Sequence, residues 1–313
     1  MMMDYEDTIL VTGAGGMVGG HLLAHLRAAG FKNVVAIDSR ACDLMERAVV
    51  RACFERVRPA YVFHCAAYVA GIMGNLRNQA LSFLRNTLIN THVIEASHIC
   101  GVRKITVMGT VAMYPDPMPS NPLREETVWQ GEPHGSERGY AHAKRGMLAQ
   151  LDVYRESYGL RYACALSTNL YGPNDRFDSE NGHVIPSLVR KCFEAQQSGQ
   201  KVTVWGDGSA RRDFLHVEDT ARGLRLIMDR IDGPVNLASG QTHSIRDIVN
   251  ILEEHAGLAG RVVWDTSKPT GQIFRAFDIS RLREAGFVPA IEMGSGLRAT
   301  YDWYKVHVST ARR

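Results

Sequence analysis

The sequence predicts an α/β protein built on a doubly wound parallel sheet, with a smaller α/β domain interleaved with it. Three observations carry this prediction. Apolar runs of strand length alternate with helical patterns through the first half of the chain. The first run, residues 9–12, leads directly into a glycine-rich turn at residues 13–19. The sequence contains no internal repeat or low-complexity linker, so we expect the second unit to fold as a cover on the first.

The glycine-rich turn is the first candidate binding site. Gly13, Gly16 and Gly19 have the spacing G-x-x-G-x-x-G, and residues 21–27 continue with helical apolar spacing. Glycine lets the backbone approach a phosphate closely, and a helix N-terminus attracts anions. The layout indicates a dinucleotide pyrophosphate site of the Rossmann type, although glycine turns also join strands to helices in other proteins.

The remaining elements follow in order. We expect strands at residues 34–38, 61–67, 104–109, 161–166, 201–205 and 235–238. We expect helices at residues 44–57, 83–99, 139–158, 184–197, 219–229 and 244–255. Residues 171–175 are predicted to form a turn and residues 179–182 a polar loop. We assign residues 1–172 and 213–242 to a dinucleotide-binding domain, and residues 173–212 and 243–313 to a substrate domain.

Composition excludes several classes of function. The chain has 313 residues and a formal net charge of +3, without a block of basic residues, so we expect no nucleic-acid partner. Its six cysteines lie far apart and predict buried reduced thiols rather than metal ligands or a disulfide framework. We find no signal-peptide pattern and no apolar run long enough for a bilayer, so we expect a cytoplasmic protein without a membrane partner.

Tyr140 and Lys144 form the decisive pair. Residues four apart share a helix face, so both side chains point the same way. A nearby ammonium group is expected to lower the pKa of a tyrosine from its usual value of ~10, which would make the phenol an acid–base group near neutral pH. Such a pair also occurs by chance on helix surfaces, but here it follows a glycine-turn strand and a strand that ends at Gly109 and Thr110.

With these motifs the chain resembles the extended short-chain dehydrogenase/reductase family, and within it the branch of the GDP-L-fucose synthases. The resemblance covers nearly the whole chain. The stretches that carry it are residues 70–72, 109–115, 168–173, 183–186, 204–208, 212–219 and 268–269. It implies a nucleotide-sugar enzyme, and a homodimer that pairs through the helices predicted at residues 83–99 and 139–158.

The resemblance also implies the catalytic roles. Tyr140 would exchange a proton with the sugar oxygen at C4, and Lys144 would also hold the nicotinamide ribose. Thr110 stands in the place of the catalytic serine, and its hydroxyl can make the same hydrogen bond. His183 matches the general acid of the family's epimerisation, although a histidine in a polar loop could also be an exposed bystander. Asn169 matches an active-site asparagine, but it also fits a simple turn residue.

The binding residues implied by the resemblance fall into two groups. Those facing the cofactor, besides Tyr140 and Lys144, are Gly13, Gly16, Met17, Val18, Gly19, Asp38, Arg40, Asp43, Leu44, Cys65, Ala66 and Ala67. Those facing the nucleotide sugar are Asn169, His183, Val184, Leu188, Lys191, Val204, Trp205, Arg212 and Arg275. The three cations of the second group suit a diphosphate, and Trp205 offers an aromatic plane.

Two positions depart from the family pattern. Fucose synthases carry Gly-Ser-Ser-Cys at the strand end, where the cysteine is the epimerisation base, whereas this chain has Ala112 at that position. The second departure is Asp38 at the end of the second strand, where fucose synthases use a basic residue with NADPH. A carboxylate binds a free 2′-hydroxyl and repels a 2′-phosphate, so NAD(H) is favoured, while Arg40 would still allow NADP(H).

The sequence therefore predicts an NAD(P)-dependent oxidoreductase that acts at C4 of a nucleotide-linked sugar, with a GDP-sugar favoured. It would be a 4-keto-sugar reductase or a 4-dehydrogenase without 3,5-epimerase activity. One alternative is an epimerase or dehydratase with permanently bound NAD. Another is a cofactor-binding regulator that has lost catalysis, against which the intact pair of Tyr140 and Lys144 argues.

Overall fold

The computed structural model describes residues 2–69, 72–178, 182–268 and 274–312. Several residues singled out above lie outside these ranges: Ala70, Gly71, Pro269 and most of the predicted polar loop, residues 179–181. The strands are β1 (Ile9–Thr12), β2 (Val34–Ile37), β3 (Tyr61–His64), β4 (Lys104–Met108), β5 (Arg161–Ser167), β6 (Asn169–Tyr171), β7 (Val202–Trp205), β8 (Arg211–His216), β9 (Gly233–Leu237), β10 (Thr242–Ser244), β11 (Val262–Asp265) and β12 (Phe274–Arg275).

The helices lie between these strands and after the last of them. They are α1 (Met17–Ala28), α2 (Arg47–Val57), α3 (Ile72–Arg77), α4 (Gln79–Ile99), α5 (Arg138–Tyr158), α6 (Val184–Ser198), α7 (Val217–Arg230), α8 (Ile245–His255), α9 (Ser280–Glu284) and α10 (Met293–His307). Within the described ranges, no helix combines the length and the apolar character needed to cross a lipid bilayer.

The central layer is a six-stranded sheet with the order β2-β1-β3-β4-β5-β9, in which all adjacent pairs are parallel. β1 and β3 are buried along their whole length, as expected for strands covered on both faces. The chain leaves β1 toward β2 on one side and returns to β3 on the other. A crevice forms at such a switch point, beyond the carboxyl ends of the strands. The predicted doubly wound parallel fold is confirmed.

Two glycines make the close turn between β1 and α1 feasible. Gly13 has a φ of +67°, and a Cβ there would lie 2.7 Å from the backbone nitrogen of Ala66. A Cβ at Gly19 would lie 2.3 Å from the carbonyl oxygen of Gly13. Any larger residue would therefore push α1 away from the strand that it follows. The turn keeps the N-terminus of α1 open beyond the end of β1.

Most predicted elements are present with shifted ends. α2 begins at Arg47 rather than at residue 44, because residues 43–46 form a turn in which Asp43 accepts the backbone N–H groups of Met45 and Glu46. The predicted strand at residues 61–67 ends at His64, and the turn predicted at residues 171–175 is preceded by the strand β6. The sequence analysis missed the strands β6, β8, β10, β11 and β12 and the helices α3, α9 and α10.

A second, smaller set of strands lies beyond the main sheet. β8 pairs with β6, β10 and β12, and β7 pairs in parallel with β11. A first hydrophobic core surrounds the main sheet, and a second is formed chiefly by α6, α8, α10 and β7. Phe277, Ile279, Leu282 and Phe287 pack in the first core, although they belong to the segment that we assigned to the substrate domain. The exact domain boundaries stay a prediction.

The cysteines are all free thiols, as predicted. Four of them, Cys42, Cys53, Cys164 and Cys192, are buried. The other two correct the expectation of full burial, since Cys65 and Cys100 are partly exposed. Cys65 follows β3 immediately and forms part of the wall against which Gly13 packs, so its exposure comes from its position at the crevice.

Candidate active site

Helix α5 is fastened to the end of β4 by two buried cations. The ammonium group of Lys144 donates to the carbonyl oxygen of Met108 at 2.8 Å. The guanidinium group of Arg145 donates through Nε to the carbonyl oxygen of Met113 at 2.7 Å, and through Nη1 to that of Gly131 at 2.7 Å. Hydrogen bonds from a charged donor are stronger than those between neutral groups. They hold both sides of residues 109–112 against the helix.

Tyr140 lies one helical turn before Lys144 and is partly exposed. The Lys144 ammonium nitrogen is 6.0 Å from the centroid of the tyrosine ring. Burial and the nearby negative charge of Glu137 raise the pKa of Tyr140 above its usual value. The predicted lowering by Lys144 is therefore wrong for the ligand-free chain, because the ammonium group is directed at the Met108 carbonyl and the surroundings disfavour a phenolate.

The pKa that is lowered belongs to Lys144 itself. Burial lowers it to about 8, and the thiols of Cys164 and Cys65 oppose this effect. Lys144 therefore still carries its proton at neutral pH, as a nearly solvent-free ammonium group. Its charge is fixed at the centre of the crevice, beyond the ends of β3 and β4.

Thr110 caps the short turn of 3-10 helix at Val111–Met113. Its Oγ1 accepts the backbone N–H of Ala112 at 3.3 Å, and within the described ranges its hydroxyl proton has no acceptor. Thr110 is partly exposed, whereas Ala112 is buried. The hydroxyl can thus donate to an oxygen atom in the crevice, on the side of the turn that faces α5.

A buried polar chain supports the glycine turn, and sequence reasoning missed it. The backbone N–H of Ala66 donates to Thr12 Oγ1 at 3.2 Å, and Thr12 Oγ1 lies 2.8 Å from His64 Nδ1. His64 Nε2 lies 3.1 Å from Asn90 Oδ1, which can only accept, so Nε2 carries the proton and Thr12 donates to Nδ1. Burial and the charge of Lys144 lower the pKa of His64 to about 3, which keeps the ring neutral.

The residues predicted to bind the cofactor lie along the crevice, from the glycine turn to the end of β2. Gly13 and Gly16 shape the turn, Gly15 is exposed, and Met17, Val18, Ala66 and Ala67 are partly exposed around it. A Cβ at Gly15 would lie 3.6 Å from Cβ of Asp38. The carboxylate of Asp38 accepts the backbone N–H groups of Arg40 and Ala41 at 2.9 and 3.0 Å, and these bonds lower its pKa. Arg40 and Asp43 are exposed and Leu44 is buried beside them.

Two arginines stand side by side on the substrate side. Arg212 and Arg275 are matched residues of the parallel strands β8 and β12. Burial and the charge of Arg275 lower the pKa of Arg212 to about 10. Lys191 donates to the carbonyl oxygen of Thr203 at 3.1 Å, and burial lowers its pKa. These three cations are far apart in the sequence. In the folded chain Arg212 and Arg275 are neighbours, and Lys191 is half-buried.

The other residues predicted to face the nucleotide sugar are divided between surface and core. Trp205 and Val184 are exposed, with the ammonium nitrogen of Lys268 5.8 Å from the Trp205 ring centroid. Leu188 and Val204 lie in the second hydrophobic core, so a direct contact of their side chains with a ligand stays a prediction.

His183 and Asn169 lie on different elements. His183 is exposed at the N-terminus of α6, near the buried carboxylate of Asp175. Asn169 donates to the carbonyl oxygen of Asp213 at 3.1 Å and thereby connects β6 to β8. This side chain is therefore more than a turn residue, and its contact with a sugar stays a prediction.

Comparisons with known proteins decide the family. The family model of the NAD dependent epimerase/dehydratase family matches residues 9–238, which include the glycine turn, the pair of Tyr140 and Lys144, and β8. The chain belongs to this family. The resemblance predicted from the motifs is confirmed. GDP-L-fucose synthase 1 of Arabidopsis thaliana is 36% identical over 310 residues, which cover 98% of this chain and 96% of that protein.

Solved structures of the family superpose closely on this chain. A GDP-L-fucose synthetase from Naegleria fowleri bound to NADP has a TM-score of 0.93 at 29% identity, covering 100% of this chain and 97% of that one. A GDP-6-OMe-4-keto-L-xylo-heptose reductase from C. jejuni has a TM-score of 0.90 at 27% identity, covering 98% of this chain and 100% of that one.

Sequence reasoning missed the supporting residues of this epimerase/dehydratase site. His64 and Asn90 are far apart in sequence and become a pair only through the sheet. Arg145 follows Lys144 directly, but its role depends on the carbonyl of Met113, which no side-chain pattern can indicate. The one available indication was a histidine, His64, within an apolar run that predicts a buried strand. The sequence did not indicate which residue it contacts.

The buried charge of Lys144 should cost the folded chain stability. In the folded state its pKa is about 8, against 10.5 for the free side chain, so the unfolded chain binds the proton more tightly. Below pH 8 the full penalty is present, and it disappears as the pH rises from 8 to 10.5. We expect Lys144→Met to raise the free energy of unfolding at pH 7 by on the order of 1–3 kcal/mol.

Urea denaturation of both proteins without cofactor measures this difference. The advantage of the Lys144→Met variant should shrink when the same measurement is made near pH 10. A variant less stable than the unmodified protein at pH 7 would show that the contact with Met108 outweighs the cost of burial.

Proposed function

We propose that this chain is a nicotinamide-dependent oxidoreductase acting at C4 of a GDP-linked sugar, as a 4-keto-sugar reductase or, in reverse, a 4-dehydrogenase. One observation carries the proposal: α5 presents Tyr140 and Lys144 at the crevice, fastened by Lys144 and Arg145 to both sides of the turn that carries Thr110. The relatives named for a GDP-fucose synthase and for a GDP-keto-heptose reductase support the same class of reaction.

The residues divide the work at the C4 oxygen. A reduced nicotinamide, when bound, supplies the hydride to C4. Tyr140 then gives its phenolic proton to the C4 oxygen, and its raised pKa keeps that proton available across the neutral range. Thr110 donates a hydrogen bond to the same oxygen. The positive charge of Lys144, 6.0 Å from the Tyr140 ring centroid, attracts the phenolate formed by the proton transfer, although in the resting protein burial outweighs this effect on the tyrosine pKa. In the reverse direction Tyr140 takes the proton from the alcohol.

The substrate side suits a nucleoside diphosphate. Two adjacent guanidinium groups, those of Arg212 and Arg275, repel each other, and a diphosphate anion would relieve this repulsion. Arginine forms two parallel hydrogen bonds to a phosphate, which fixes its orientation. Lys191 adds positive charge, and the exposed ring of Trp205 offers a face for a base. The similarity to GDP-L-fucose synthases favours guanosine as that nucleoside.

Removal of the phenol tests the reaction directly. We expect Tyr140→Phe to lower kcat for a GDP-4-keto sugar by about 10²-fold or more, because a general acid is lost. Cofactor binding should stay nearly unchanged. Tyr158→Phe is a matched control on the same helix, since Tyr158 is exposed and stacks on His98. Unchanged turnover in Tyr140→Phe would show that the proton comes from another group.

We propose that NAD(H) is favoured over NADP(H), on the evidence of Asp38. Its carboxylate stays ionised because two backbone N–H groups lower its pKa, and it lies beside Gly15 at the cofactor turn. The Naegleria neighbour bound to NADP and the exposed Arg40 argue for the other preference. Titration of both cofactors decides between the two.

We expect the unmodified protein to bind NADH more tightly, and Asp38→Ala to narrow the gap. A hydrogen bond to a charged acceptor contributes roughly 1.5–3 kcal/mol, so NADH binding should weaken by about tenfold or more. Glu46→Ala serves as the comparison, because Glu46 is exposed in the same loop and its side chain makes no capping hydrogen bond. Tighter binding of NADPH by the unmodified protein would contradict this proposal and would indicate that Arg40 determines the cofactor preference.

We propose that the chain lacks 3,5-epimerase activity. Removal of a proton beside the C4 ketone requires a base, and the buried methyl group of Ala112 stands where the related enzymes carry a thiol. Thr110 and Tyr140 could still stabilise an enolate, and His183 could still return a proton.

Incubation with a GDP-4-keto sugar in heavy water, without reduced cofactor, measures this activity. We expect no deuterium at C3 or C5 beyond the enzyme-free control. Exchange above that control would contradict the proposal, and Ala112→Cys is the variant in which slow exchange could appear.

We also propose that two copies of the chain pair through α4 and α5. Both helices expose large apolar side chains, among them Phe83 and Leu84 on α4 and Val153 and Tyr158 on α5. Such a surface is unusual for a helix pair that faces only water. A monomeric mass in sedimentation equilibrium would exclude this arrangement.

A further inference from the structure

A small recess lies between the turn at Val111–Met113 and the start of α5. It is lined by Ala112, Asp116, His134, Glu137 and Arg275, together with apolar residues that include Val111, Met118 and Leu123. It is partly enclosed and has room for about one water-sized group. We call it the Ala112 recess.

The Ala112 recess is lined by residues that are sequence neighbours of Thr110 and Tyr140. Ala112 donates its backbone N–H to Oγ1 of Thr110 at 3.3 Å. Glu137 directly precedes α5, three residues before Tyr140, and it is near enough for its charge to raise the pKa of the tyrosine. If Thr110 and Tyr140 hold the C4 oxygen, the recess faces a carbon that flanks C4.

The carboxylate of Glu137 is the group best placed to bind a ligand in the Ala112 recess. Glu137 stands at the N-terminus of α5, yet its side chain makes no capping hydrogen bond. Within the described ranges no hydrogen bond or ion pair satisfies its carboxylate, which is only partly exposed. The oxygens of a carboxylate are hydrogen-bond acceptors, so the partner that suits Glu137 is a donor such as a hydroxyl group.

The other polar side chains of the recess, His134, Asp116 and Arg275, lie near one another. His134 accepts the backbone N–H of Ser136 through Nδ1 at 3.2 Å, so Nε2 carries the proton and lies 3.7 Å from Asp116. Arg275 is near enough to Glu137 and Asp116 for both to raise its pKa against the effect of burial. A group that enters the recess therefore meets the carboxylates of Glu137 and Asp116 beside one guanidinium group, which suits a hydroxyl group that donates a hydrogen bond.

We propose that the Ala112 recess takes a hydroxyl group carried by the substituent on C5 of the sugar, with Glu137 as its acceptor. The substrate would then be a GDP-4-keto hexose or heptose that keeps its C6 hydroxyl, rather than a 6-deoxy sugar. This inference rests on the proposed function, since it places the C4 oxygen at Thr110 and Tyr140.

The size of residue 112 favours the C5 substituent. A hydroxyl group on C3 projects one bond from the ring, whereas a hydroxymethyl group on C5 projects two bonds and can pass the methyl group of Ala112. A side chain with a thiol at this position would fill that path. A 6-deoxy sugar would bring a methyl group against the carboxylate of Glu137, which would lose water without gaining a donor.

The test compares four GDP-sugars on the protein saturated with oxidised cofactor: GDP-mannose, its C4 epimer, and the 6-deoxy form of each. The comparison is made within the C4 configuration that binds more tightly. There we expect the Kd of the sugar with the C6 hydroxyl to be at least about tenfold lower than the Kd of its 6-deoxy form. In Glu137→Ala this ratio should fall below about threefold, with the Kd of the 6-deoxy form nearly unchanged. Glu132→Ala is the matched control, because Glu132 is exposed and pairs with His142 outside the recess.

Three results would overturn the inference. The first is equal Kd values for the hydroxyl and 6-deoxy forms in the unmodified protein. The second is a preference that survives Glu137→Ala. The third is deuterium exchange at C3 or C5 that disappears in Glu137→Gln, because Glu137 would then be a base. GDP should bind in every case: failure of GDP and all four sugars to bind refutes both the proposed function and the inference, whereas equal affinities refute the inference alone.

Discussion

The site depends on the charged hydrogen bonds from α5 to the backbone around Thr110. Lys144 and Arg145 are consecutive residues, and they reach carbonyl groups on opposite sides of the turn, at Met108 and Met113. A helix that is tied at two points beside a turn cannot slide along it or rotate away from it. The position of Tyr140 relative to Thr110 is therefore set by backbone acceptors, which do not vary with the side chains of the loop.

The cofactor side is built on a different kind of interaction. There the backbone of the glycine turn packs against the chain after β3 so closely that no Cβ fits at Gly13. The neutral imidazole of His64 connects Thr12 to Asn90 beneath this contact. Because Lys144 lies near enough to lower the pKa of His64, the two halves of the site share one electrostatic environment. A charged imidazole there would repel the ammonium group of Lys144.

The sequence was most informative where a local pattern has one structural meaning. The alternation of strands and helices predicted the parallel sheet, and the spacing of Tyr140 and Lys144 predicted a shared helix face. Prediction from the sequence failed where a residue's role depends on contacts with residues far away in the chain. Lys144 was expected to lower the pKa of the Tyr140 phenol, but its ammonium group donates a hydrogen bond to the carbonyl oxygen of Met108 instead. Glu137 could not be found because its significance comes from a recess formed by four separate segments.

The short strands of the second half were missed for a related reason. β6, β10 and β12 have two or three residues each, too few for an alternating pattern to appear. They form because β8 offers both of its edges to them. Strand formation at this length is a property of the assembled sheet, and the residues themselves carry almost no preference that a sequence pattern could reveal.

β8 also ties the two cores together. Phe214 packs in the second core and the next residue, Leu215, packs in the first. The neighbouring strand repeats this arrangement, with Tyr171 in the second core and Leu170 against the first. One pair of strands thus serves as a common wall, and no cut through a single linker would free either half with its core intact. The half around the second core is consequently not an exchangeable module, and evolution can alter it only through individual side chains.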